Sequence, residues 1–452
     1  MKILRTIIKL PLLTLCPLLM HAQQNVKLIT LDPGHFHAAL VQKTMYPQVD
    51  PNVYVYAEKG NDLQLHLDRI KGYNTRVDQP TKWNEVVYEG KDFFQKMISE
   101  RKGNVVVLAG NNKLKTSYIL NAVQNNFHVF ADKPMVINKE GFDQLKKAFE
   151  ISKQKNLQLY DIMTERYEIT TMLQRALSME PTVFGTLEKG SPDNPSVTKE
   201  SVHHFYKYVS GSVLTRPAWF FDVTQEGEGI VDVTTHLVDL IQWECFPEKI
   251  IDYKKNVKIL SAKSWNTSIT PDDFKIVTKE KEIPAYLKGN MDKDGNLQVL
   301  CNGAFNYTIN GVHAKVSVIW NYKAPDGTGD THYSLMRGTK SSLIIRQGKE
   351  ENYKPTLYVE SVASSEMETA LIAAINNINK TYPGVSIKKN AKGWEVIIPD
   401  VYKESHETHF ARVTEKYLQY LQNNNMPAWE IPNMIAKYYT TTAARELANK
   451  TK

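Results

Sequence analysis

A histidine and two carboxylates occupy one face of a predicted helix in the middle of the chain. Over residues 229–243, drawn at about 100° per residue, Asp232, His236 and Asp239 share one arc, and apolar side chains fill the opposite arc. Asp232 and His236 are four positions apart, so their side chains are neighbours. Histidine has an ordinary pKa of about 6.5 and can accept a proton at neutral pH. The pattern indicates acid–base chemistry, with a merely solvated polar face as the alternative.

A lysine at the end of a predicted strand is the second reactive candidate. Residues 127–131 read Phe-His-Val-Phe-Ala and are followed by Asp132, Lys133 and Pro134. Because proline restricts the preceding residue to extended conformations, the strand end should hold Lys133 in a defined position. Its ammonium group could stabilise negative charge that develops on a substrate oxygen. The alternative is an ordinary surface lysine.

The first part of the chain has the pattern of a parallel sheet wrapped by helices. Ligands bind such sheets beyond the carboxyl ends of the strands, so the residues that follow each strand are candidate binding positions. Strands are predicted over residues 26–31, 53–57, 105–109, 127–131 and 157–160, and helices over 35–43, 117–125 and 139–154.

Beyond about residue 165 the pattern changes. Longer alternating runs, such as residues 297–308 and 312–322, predict antiparallel strands with one solvated face. Two amphipathic stretches, 404–422 and 431–449, predict closing helices. We therefore expect an α/β protein with two domains, over residues 23–165 and 166–452.

The first 22 residues have the pattern of a cleavable secretory signal peptide. Three cations flank an apolar run over residues 10–20, and cleavage is expected after Ala22. The run has about half of the roughly 20 residues that cross a bilayer, and no later stretch approaches that length, so no membrane span is expected. Leu15 stands where a lipoprotein signal needs a small residue before Cys16, which disfavours lipidation. The predicted location is the periplasm or the exterior.

Charge and cysteine content exclude two kinds of site. The chain of 452 residues has 56 Lys and Arg against 49 Asp and Glu, and loss of three cations with the signal lowers its formal charge from +7 to +4. Without a run of five basic residues, nucleic acid is not an expected ligand. Cys245 and Cys301 could form a disulfide or remain thiols, and two cysteines do not make a zinc cluster.

Residues 127–134 and 227–239 carry motifs of a known family. The first, ending in Asp-Lys-Pro, is similar to Gly-Lys-x-Val-x-x-Glu-Lys-Pro. The second, Gly-Glu-Gly-Ile-Val-Asp-Val-Thr-Thr-His-Leu-Val-Asp, is similar to Gly-Gly-x-Leu-x-Asp-x-Gly-x-His-x-x-Asp. With weaker matches at Arg166, residues 337–339 and residues 409–410, the chain resembles the Gfo/Idh/MocA family, named for glucose-fructose oxidoreductase, inositol dehydrogenase and a rhizopine-catabolism protein.

The resemblance implies a Rossmann dinucleotide-binding domain and a C-terminal α/β domain, whose large, mostly antiparallel open sheet often joins the subunits of a homo-oligomer. It also implies hydride transfer between NAD or NADP and a secondary alcohol or ketone, usually of a sugar or cyclitol. The matching catalytic positions are Lys133, Asp232 and His236. Substrate contacts are also expected from Arg166, Trp219 and Thr235.

The division of roles among the three catalytic positions stays open at this stage. His236 would remove the hydroxyl proton, and Asp232 would orient the imidazole. Lys133 would hold the substrate oxygen, or would itself accept the proton if a cationic nicotinamide lowers its pKa.

The loop after the first strand departs from the dinucleotide-binding motif Gly-x-Gly-x-x-Gly. With His37 aligned to the family's downstream histidine, Gly34 takes the third glycine position, and Asp32 brings negative charge. A helix N-terminus near Gly34 could still bind phosphate through its amides. Glu58 is placed to accept the ribose hydroxyls, which favours NAD over NADP. The predicted cofactor contacts are Gly34, His35, Phe36, Glu58, Gly110, Asn111, Asn112, Asp132, Lys133 and Pro134.

His35 and His37 also suggest a metal pair. On a helix, however, residues two positions apart point in different directions. No metal site is therefore predicted.

Three functions remain open. The first is an NAD-dependent oxidoreductase acting on a sugar or glycoside hydroxyl, with a retained cofactor because free NAD is scarce outside the cytoplasm. The second is a redox-assisted, NAD-requiring glycosidase or lyase that forms no net NADH. The third is an inactive carbohydrate-binding relative.

Overall fold

The computed structural model describes residues 26–209, 212–325, 328–362 and 364–450. The predicted signal peptide, including Cys16, lies outside these residues. Within the described ranges, no helix combines the length and apolar character needed to cross a membrane. Cys245 and Cys301 are both free thiols, the second of them buried.

The first sheet has six parallel strands in the order β3-β2-β1-β4-β5-β6, which is the Rossmann order. Its strands are β1 Leu28–Leu31, β2 Asn52–Ala57, β3 Asn84–Glu89, β4 Val105–Leu108, β5 His128–Asp132 and β6 Leu159–Ile162. The helices of this part are α1 His37–Leu40, α2 Asn61–Thr75, α3 Phe93–Glu100, α4 Asn112–Gln124 and α5 Lys139–Gln154.

Burial explains which of these elements the sequence pattern identified. All four residues of β1 and all four of β4 are buried, as expected where helices cover both faces of a parallel sheet. β3 is an edge strand whose residues are exposed or half-buried, and the pattern did not indicate it. The predicted helix over residues 35–43 is a single turn, His37–Leu40.

The second sheet has nine strands in the order β10-β11-β12-β7-β13-β14-β15-β17-β16. All neighbouring pairs are antiparallel except β12 and β7, so the predicted mostly antiparallel sheet is confirmed. Its strands are β7 Val197–Tyr206, β10 Val257–Ile269, β11 Leu297–Ile309, β12 Val312–Lys323, β13 Thr331–Arg337, β14 Ser342–Arg346, β15 Thr356–Glu360, β16 Ser386–Asn390 and β17 Gly393–Ile397. A separate hairpin pairs β8 Tyr208–Val209 with β9 Ser212–Val213. The use of the nine-stranded sheet as a subunit interface stays a prediction.

The remaining helices cover this sheet and return to the first one. They are α6 Ile169–Ser178, α7 Thr234–Cys245, α8 Tyr253–Asn256, α9 Pro271–Thr278, α10 Ser365–Ile378, α11 His406–Asn423 and α12 Glu430–Lys450, with 3-10 turns at Thr164–Tyr167, Ala218–Phe221, Ala285–Asn290 and Asp400–Tyr402.

Helix α11 belongs to the core of the N-terminal sheet although it lies near the end of the chain. Phe410, Val413 and Tyr417 are buried in that core, and the Tyr417 ring stacks on Phe130 at 4.4 Å. The predicted division at residue 165 stays a prediction, and the packing of α11 shows that the chain returns to the first sheet.

Candidate active site

A cavity of about 1290 Å³ lies among the segments that follow β1 and β5, strands of the second sheet, α7 and the start of α11. Lys133, Asp232 and His236 all line it, so the fold brings together the three residues predicted to be catalytic. Seven of the twelve histidines also line it, namely His35, His37, His203, His236, His332, His406 and His409. Sequence reasoning singled out only some of these, because the others come from distant strands and helices.

Lys133 and Asp232 form a buried ion pair. The Lys133 Nζ atom donates to Asp232 Oδ1 at 2.5 Å, and the two side chains are only 10% and 6% exposed. Burial by itself lowers the pKa of Lys133, but the charges of Asp232 and Asp132 outweigh it and raise that pKa. Lys133 is therefore a charged donor, which favours holding an oxygen over accepting a proton.

Asp232 does not lie on a regular helix. Helix α7 begins at Thr234, whereas the sequence pattern placed its start at residue 229, and turns carry Asp232 into the cavity. Its carboxylate accepts a hydrogen bond from Lys133 and so positions the lysine. That Asp232 also orients His236 stays a prediction.

His236 presents an unsatisfied nitrogen. Its Nδ1 atom is buried and has no hydrogen-bond partner among the described residues. Burial, reinforced by the charge of Lys133, holds the pKa of His236 well below its ordinary value. The imidazole is therefore neutral, and a substrate hydroxyl in the cavity would supply the missing partner.

His35, His37 and Asp132 form a second cluster at the end of β5. The Nδ1 atoms of His35 and His37 lie 3.3 Å and 2.9 Å from Asp132 Oδ2. Helix α1 begins at His37, so His35 lies in the preceding turn and the two rings approach to 4.0 Å between centroids. The reason for excluding a metal pair, a helix that includes both histidines, is therefore wrong.

The loop at Gly34 differs from the expected phosphate cradle. The amides of Gly34 and His35 both donate to the carbonyl of Ala109, at 3.3 Å and 3.1 Å, so they are already engaged. Helix α1 is a single turn that begins at residue 37, so a helix N-terminus at Gly34 is not formed. The amides of Gly34 and His35 are therefore not available to a phosphate in this conformation. The predicted cofactor contacts of Gly34, His35 and Phe36 stay predictions.

Residues after Ala218 cover this end of the first sheet. The Trp219 indole nitrogen donates to Asp62 Oδ2 at 2.7 Å, and both side chains lie against Gly34. Asn111 donates to Gln225 Oε1 at 2.6 Å, and Asn112 donates to the Glu226 carbonyl at 2.7 Å. These contacts must separate before a diphosphate can lie along the predicted path.

The remaining cofactor positions lie where the pattern placed them, at strand ends. Glu58 follows β2 and is exposed, Asp132 ends β5, and a cis peptide bond joins Lys133 to Pro134. A Cβ atom on Gly110 would come within 2.1 Å of the Asp32 carbonyl, so only glycine fits there. That Lys133 lies at the nicotinamide end of a dinucleotide and Glu58 at its adenosine ribose stays a prediction.

The three predicted substrate contacts are structural in this arrangement, and none is among the described residues that line the cavity. Arg166 makes a bidentate ion pair with Asp239, at 2.6 Å and 2.8 Å. Trp219 bonds to Asp62, and Thr235 donates to the carbonyl of Val231 at 2.8 Å. Each side chain is thus already used by the fold.

Two other residues that line the cavity were missed. Burial and the neighbouring Glu168 raise the pKa of Glu165 to about 7, and its carboxylate lies 3.6 Å from His406 Nε2. Arg216 is buried over the ring of Phe220 at 4.4 Å, without a carboxylate partner among the described residues. Neither residue stands in a recognisable motif, so no local pattern could have identified it.

Two family models match the chain. "Putative oxidoreductase C terminal domain" matches residues 173–449, and "Oxidoreductase family, NAD-binding Rossmann fold" matches residues 57–160. The second match begins after the Gly34 loop. The chain matches no curated protein.

Solved structures share the whole architecture. A "putative oxidoreductase" from Parabacteroides merdae is 55% identical, with a TM-score of 0.92 over 95% of this chain and 98% of that one. A levoglucosan dehydrogenase in complex with NADH and levoglucosan is 12% identical, with a TM-score of 0.59 over 94% and 98% of the two chains. A mutant 3-ketoreductase from Actinomadura kijaniata, in complex with TDP-benzene and NADP, is 13% identical, with a TM-score of 0.54 over 93% and 97%.

The altered loop has a pH-dependent cost in stability. Burial, with the charge of Asp62, raises the pKa of Asp32 to about 6, whereas an unfolded aspartate has a pKa of about 3.9. The folded state therefore binds the proton more tightly, and stability is lost as pH rises from about 4 to about 6. We expect Asp32→Asn to be more stable than the wild type by about 1–3 kcal/mol at pH 8 and nearly equal at pH 4. Asparagine also tolerates the φ of 48° found at this position.

Urea unfolding of both proteins at the two pH values measures this difference. Asp78→Asn is the control, because Asp78 is exposed. A stability difference for Asp32→Asn that is the same at both pH values would contradict the assignment.

Proposed function

The chain belongs to the Gfo/Idh/MocA family of oxidoreductases, whose N-terminal domain has the NAD-binding Rossmann fold, and on this premise we propose that it transfers hydride between NAD and a sugar or glycoside. The group oxidised is a secondary hydroxyl, and the reverse reaction reduces the ketone. The observation that carries the proposal is the convergence of charged Lys133 and neutral His236 in one cavity.

Lys133 stabilises the substrate oxygen in this mechanism. Asp232 holds its ammonium group at 2.5 Å, which fixes the direction of its remaining N–H bonds. A fixed, buried positive charge stabilises an oxyanion without reorganisation of solvent. The lysine therefore favours the alkoxide character that develops as the C–H bond breaks.

His236 accepts the hydroxyl proton. Its neutral state and unsatisfied Nδ1 atom make it an available acceptor on the wall that also carries Lys133. When bound, the nicotinamide supplies the hydride acceptor. The positive charge of Lys133 lowers the pKa of the imidazole and would also lower that of the substrate hydroxyl. The weaker basicity of His236 is therefore offset by the greater acidity of the hydroxyl.

The size and lining of the cavity support a glycoside in preference to a small alcohol. Pockets for drug-sized ligands are usually about 300–1,000 Å³, and this cavity is larger. Tyr206, Phe220 and Trp320 offer aromatic surface, while Lys207 and Asp330 offer polar groups. Such a wall suits a sugar, which has apolar faces and a polar rim.

Substitution of either catalytic residue should abolish most turnover. We expect Lys133→Ala and His236→Ala each to lower turnover by about 10²-fold or more, because each removes a positioned group that acts on the reacting oxygen. The measurement is steady-state turnover on a panel of sugars and glycosides with NAD, following NADH and the products. Lys139→Ala is a matched control, since this lysine is 59% exposed on helix α5.

The products distinguish the three functions. NADH or a keto-sugar indicates a dehydrogenase, and aglycone release without net NADH indicates a redox-assisted glycosidase. Carbohydrate binding without any product indicates an inactive relative. Wild-type turnover in either folded alanine variant would remove that residue from the mechanism.

Glu58 should select NAD over NADP. Its exposed carboxylate at the end of β2 can accept the ribose hydroxyls and would repel a 2′-phosphate. We expect at least about tenfold discrimination, equal to about 1.4 kcal/mol, and a smaller ratio in Glu58→Ala. Calorimetric titration with both dinucleotides tests this, with Glu89→Ala at the exposed end of neighbouring β3 as the control. An unchanged ratio in Glu58→Ala would show that the carboxylate takes no part in selection.

We also propose that residues 1–22 direct export and that NAD is retained through successive turnovers. The NADH formed in each cycle is reoxidised on the protein, either by a second carbonyl substrate or by later reduction of the same keto-sugar. Export supports retention, because little free NAD is available outside the cytoplasm. Protein purified from the periplasm should begin at Gln23 and release NAD on denaturation. An intact Met1 would contradict export. The absence of released nicotinamide, together with failure to bind added NAD, would contradict retention.

A further inference from the structure

We propose that His35, His37 and Asp132 bind a divalent metal ion of the zinc class at the wall of the cavity. The family motifs assign no metal here, and the proposed hydride transfer does not require one. The inference rests on the positions of the three side chains.

The distances among the three side chains fit a metal site. Zinc binds histidine nitrogen and carboxylate oxygen at about 2.0–2.2 Å, so the edges of its coordination tetrahedron are about 3.3–3.5 Å. The Nδ1 atoms of His35 and His37 lie 3.3 Å and 2.9 Å from Asp132 Oδ2, and all three ligand atoms lie within 4.8 Å of one another. The two distances to Asp132 Oδ2 are close to those edges, so a local rearrangement of the two imidazole rings would place the three ligand atoms around one ion.

Protein contacts alone do not satisfy these groups. His37 and Asp132 form one hydrogen bond, but His35 Nδ1 and Asp132 Oδ1 are buried without a partner among the described residues. A buried polar atom without a partner costs about 1–3 kcal/mol. A cation shared by both imidazoles and the carboxylate would remove part of this cost.

Surrounding contacts hold the donors in place. The His37 ring packs on Phe410 at 4.6 Å between centroids, and Lys115 Nζ donates to the Asp132 carbonyl at 3.3 Å. Lys115 and Lys133 are the neighbouring cations, and the charge of Lys133 is already balanced by Asp232. The site therefore has a donor set and supporting contacts before any ion arrives.

The donor set indicates the class of ion and the nature of the site. Two imidazoles and one carboxylate suit zinc and neighbouring transition metals better than calcium or magnesium, which prefer oxygen ligands alone. Three protein ligands leave a fourth position open. His35 and His37 line the cavity, so that position faces the space in which a water or substrate hydroxyl would lie.

Metal titration of the whole mature protein tests the proposal. Protein freed of metal with a chelator and carrying no histidine tag is titrated calorimetrically with Zn²⁺, and one equivalent per chain is expected. Substitution with Co²⁺ should give the strong visible absorption of a tetrahedral site. His35→Ala and Asp132→Asn should each weaken Zn²⁺ binding by at least tenfold.

A matched histidine outside the cluster provides the control. His128→Ala removes a half-buried histidine that accepts a hydrogen bond from the Gln158 amide, and it should bind Zn²⁺ as the wild type does. If Asp132→Asn fails to fold, His35→Gln replaces it, since the His35 Nδ1 atom makes no hydrogen bond whose loss could unfold the chain. Absence of stoichiometric binding by the wild type, or undiminished binding by the folded His35 variants, would overturn the proposal. These outcomes do not depend on whether the protein transfers hydride.

Discussion

A buried network of charges ties helix α7 to the N-terminal sheet, and the geometry of the cavity depends on it. Arg166 makes a bidentate ion pair with Asp239 and also donates to Glu430. The Lys437 Nζ atom lies 2.8 Å from Asp239 Oδ1 and 2.6 Å from Asp161 Oδ2, so it links these two carboxylates. Removing one partner of such a buried pair typically costs about 3–5 kcal/mol, because the other charge is left without compensation. The network therefore fixes the orientation of α7. That orientation places His236, and the turn before the helix that carries Asp232, opposite the end of β5.

The same low-dielectric setting gives the cavity residues different protonation states. Lys133 keeps its charge because Asp232 and Asp132 outweigh its burial, whereas His236 is neutral because burial and the lysine act in the same direction. A charged donor and a neutral acceptor on one wall are what proton removal from a hydroxyl requires. His35 and His37 add polar groups that stay uncharged, since burial lowers the pKa of His35 to about 4 and that of His37 to about 3.

The Rossmann sheet is kept while the loop that gives it its usual function has changed. Strand order and buried strands are those of a dinucleotide-binding domain. At Gly34, however, the amides of Gly34 and His35 donate to the carbonyl of Ala109. The side chains of Trp219 and Asp62 lie against the glycine. The same loop places His35 beside Asp132. One local change thus both restricts the diphosphate path and assembles a new cluster of donor atoms.

The sequence by itself determined the fold class, the buried central strands of the first sheet and several helices, and the identity of the residues at those strand ends. Period-two and period-3.6 patterns are local, so residues 139–154 and 297–308 could be assigned nearly to their observed bounds. Motif similarity likewise identified Lys133, Asp232 and His236 before their positions were known. Strand β3 was not predicted, because an exposed edge strand lacks the continuous apolar run that marks the buried central strands.

Only the tertiary structure decided which partner each polar group takes. Asp232 and His236 are four positions apart, yet Asp232 pairs with Lys133, which is 99 positions away. Arg166 and Trp219 were predicted to contact substrate, but in the fold they donate hydrogen bonds to Asp239 and Asp62, which are distant in sequence. His35 and His37 converge because a turn, and not a helix, precedes residue 37. Local spacing states which groups are near in the chain, whereas pairing of buried charges is decided by whichever opposite charge the fold brings within a few ångströms.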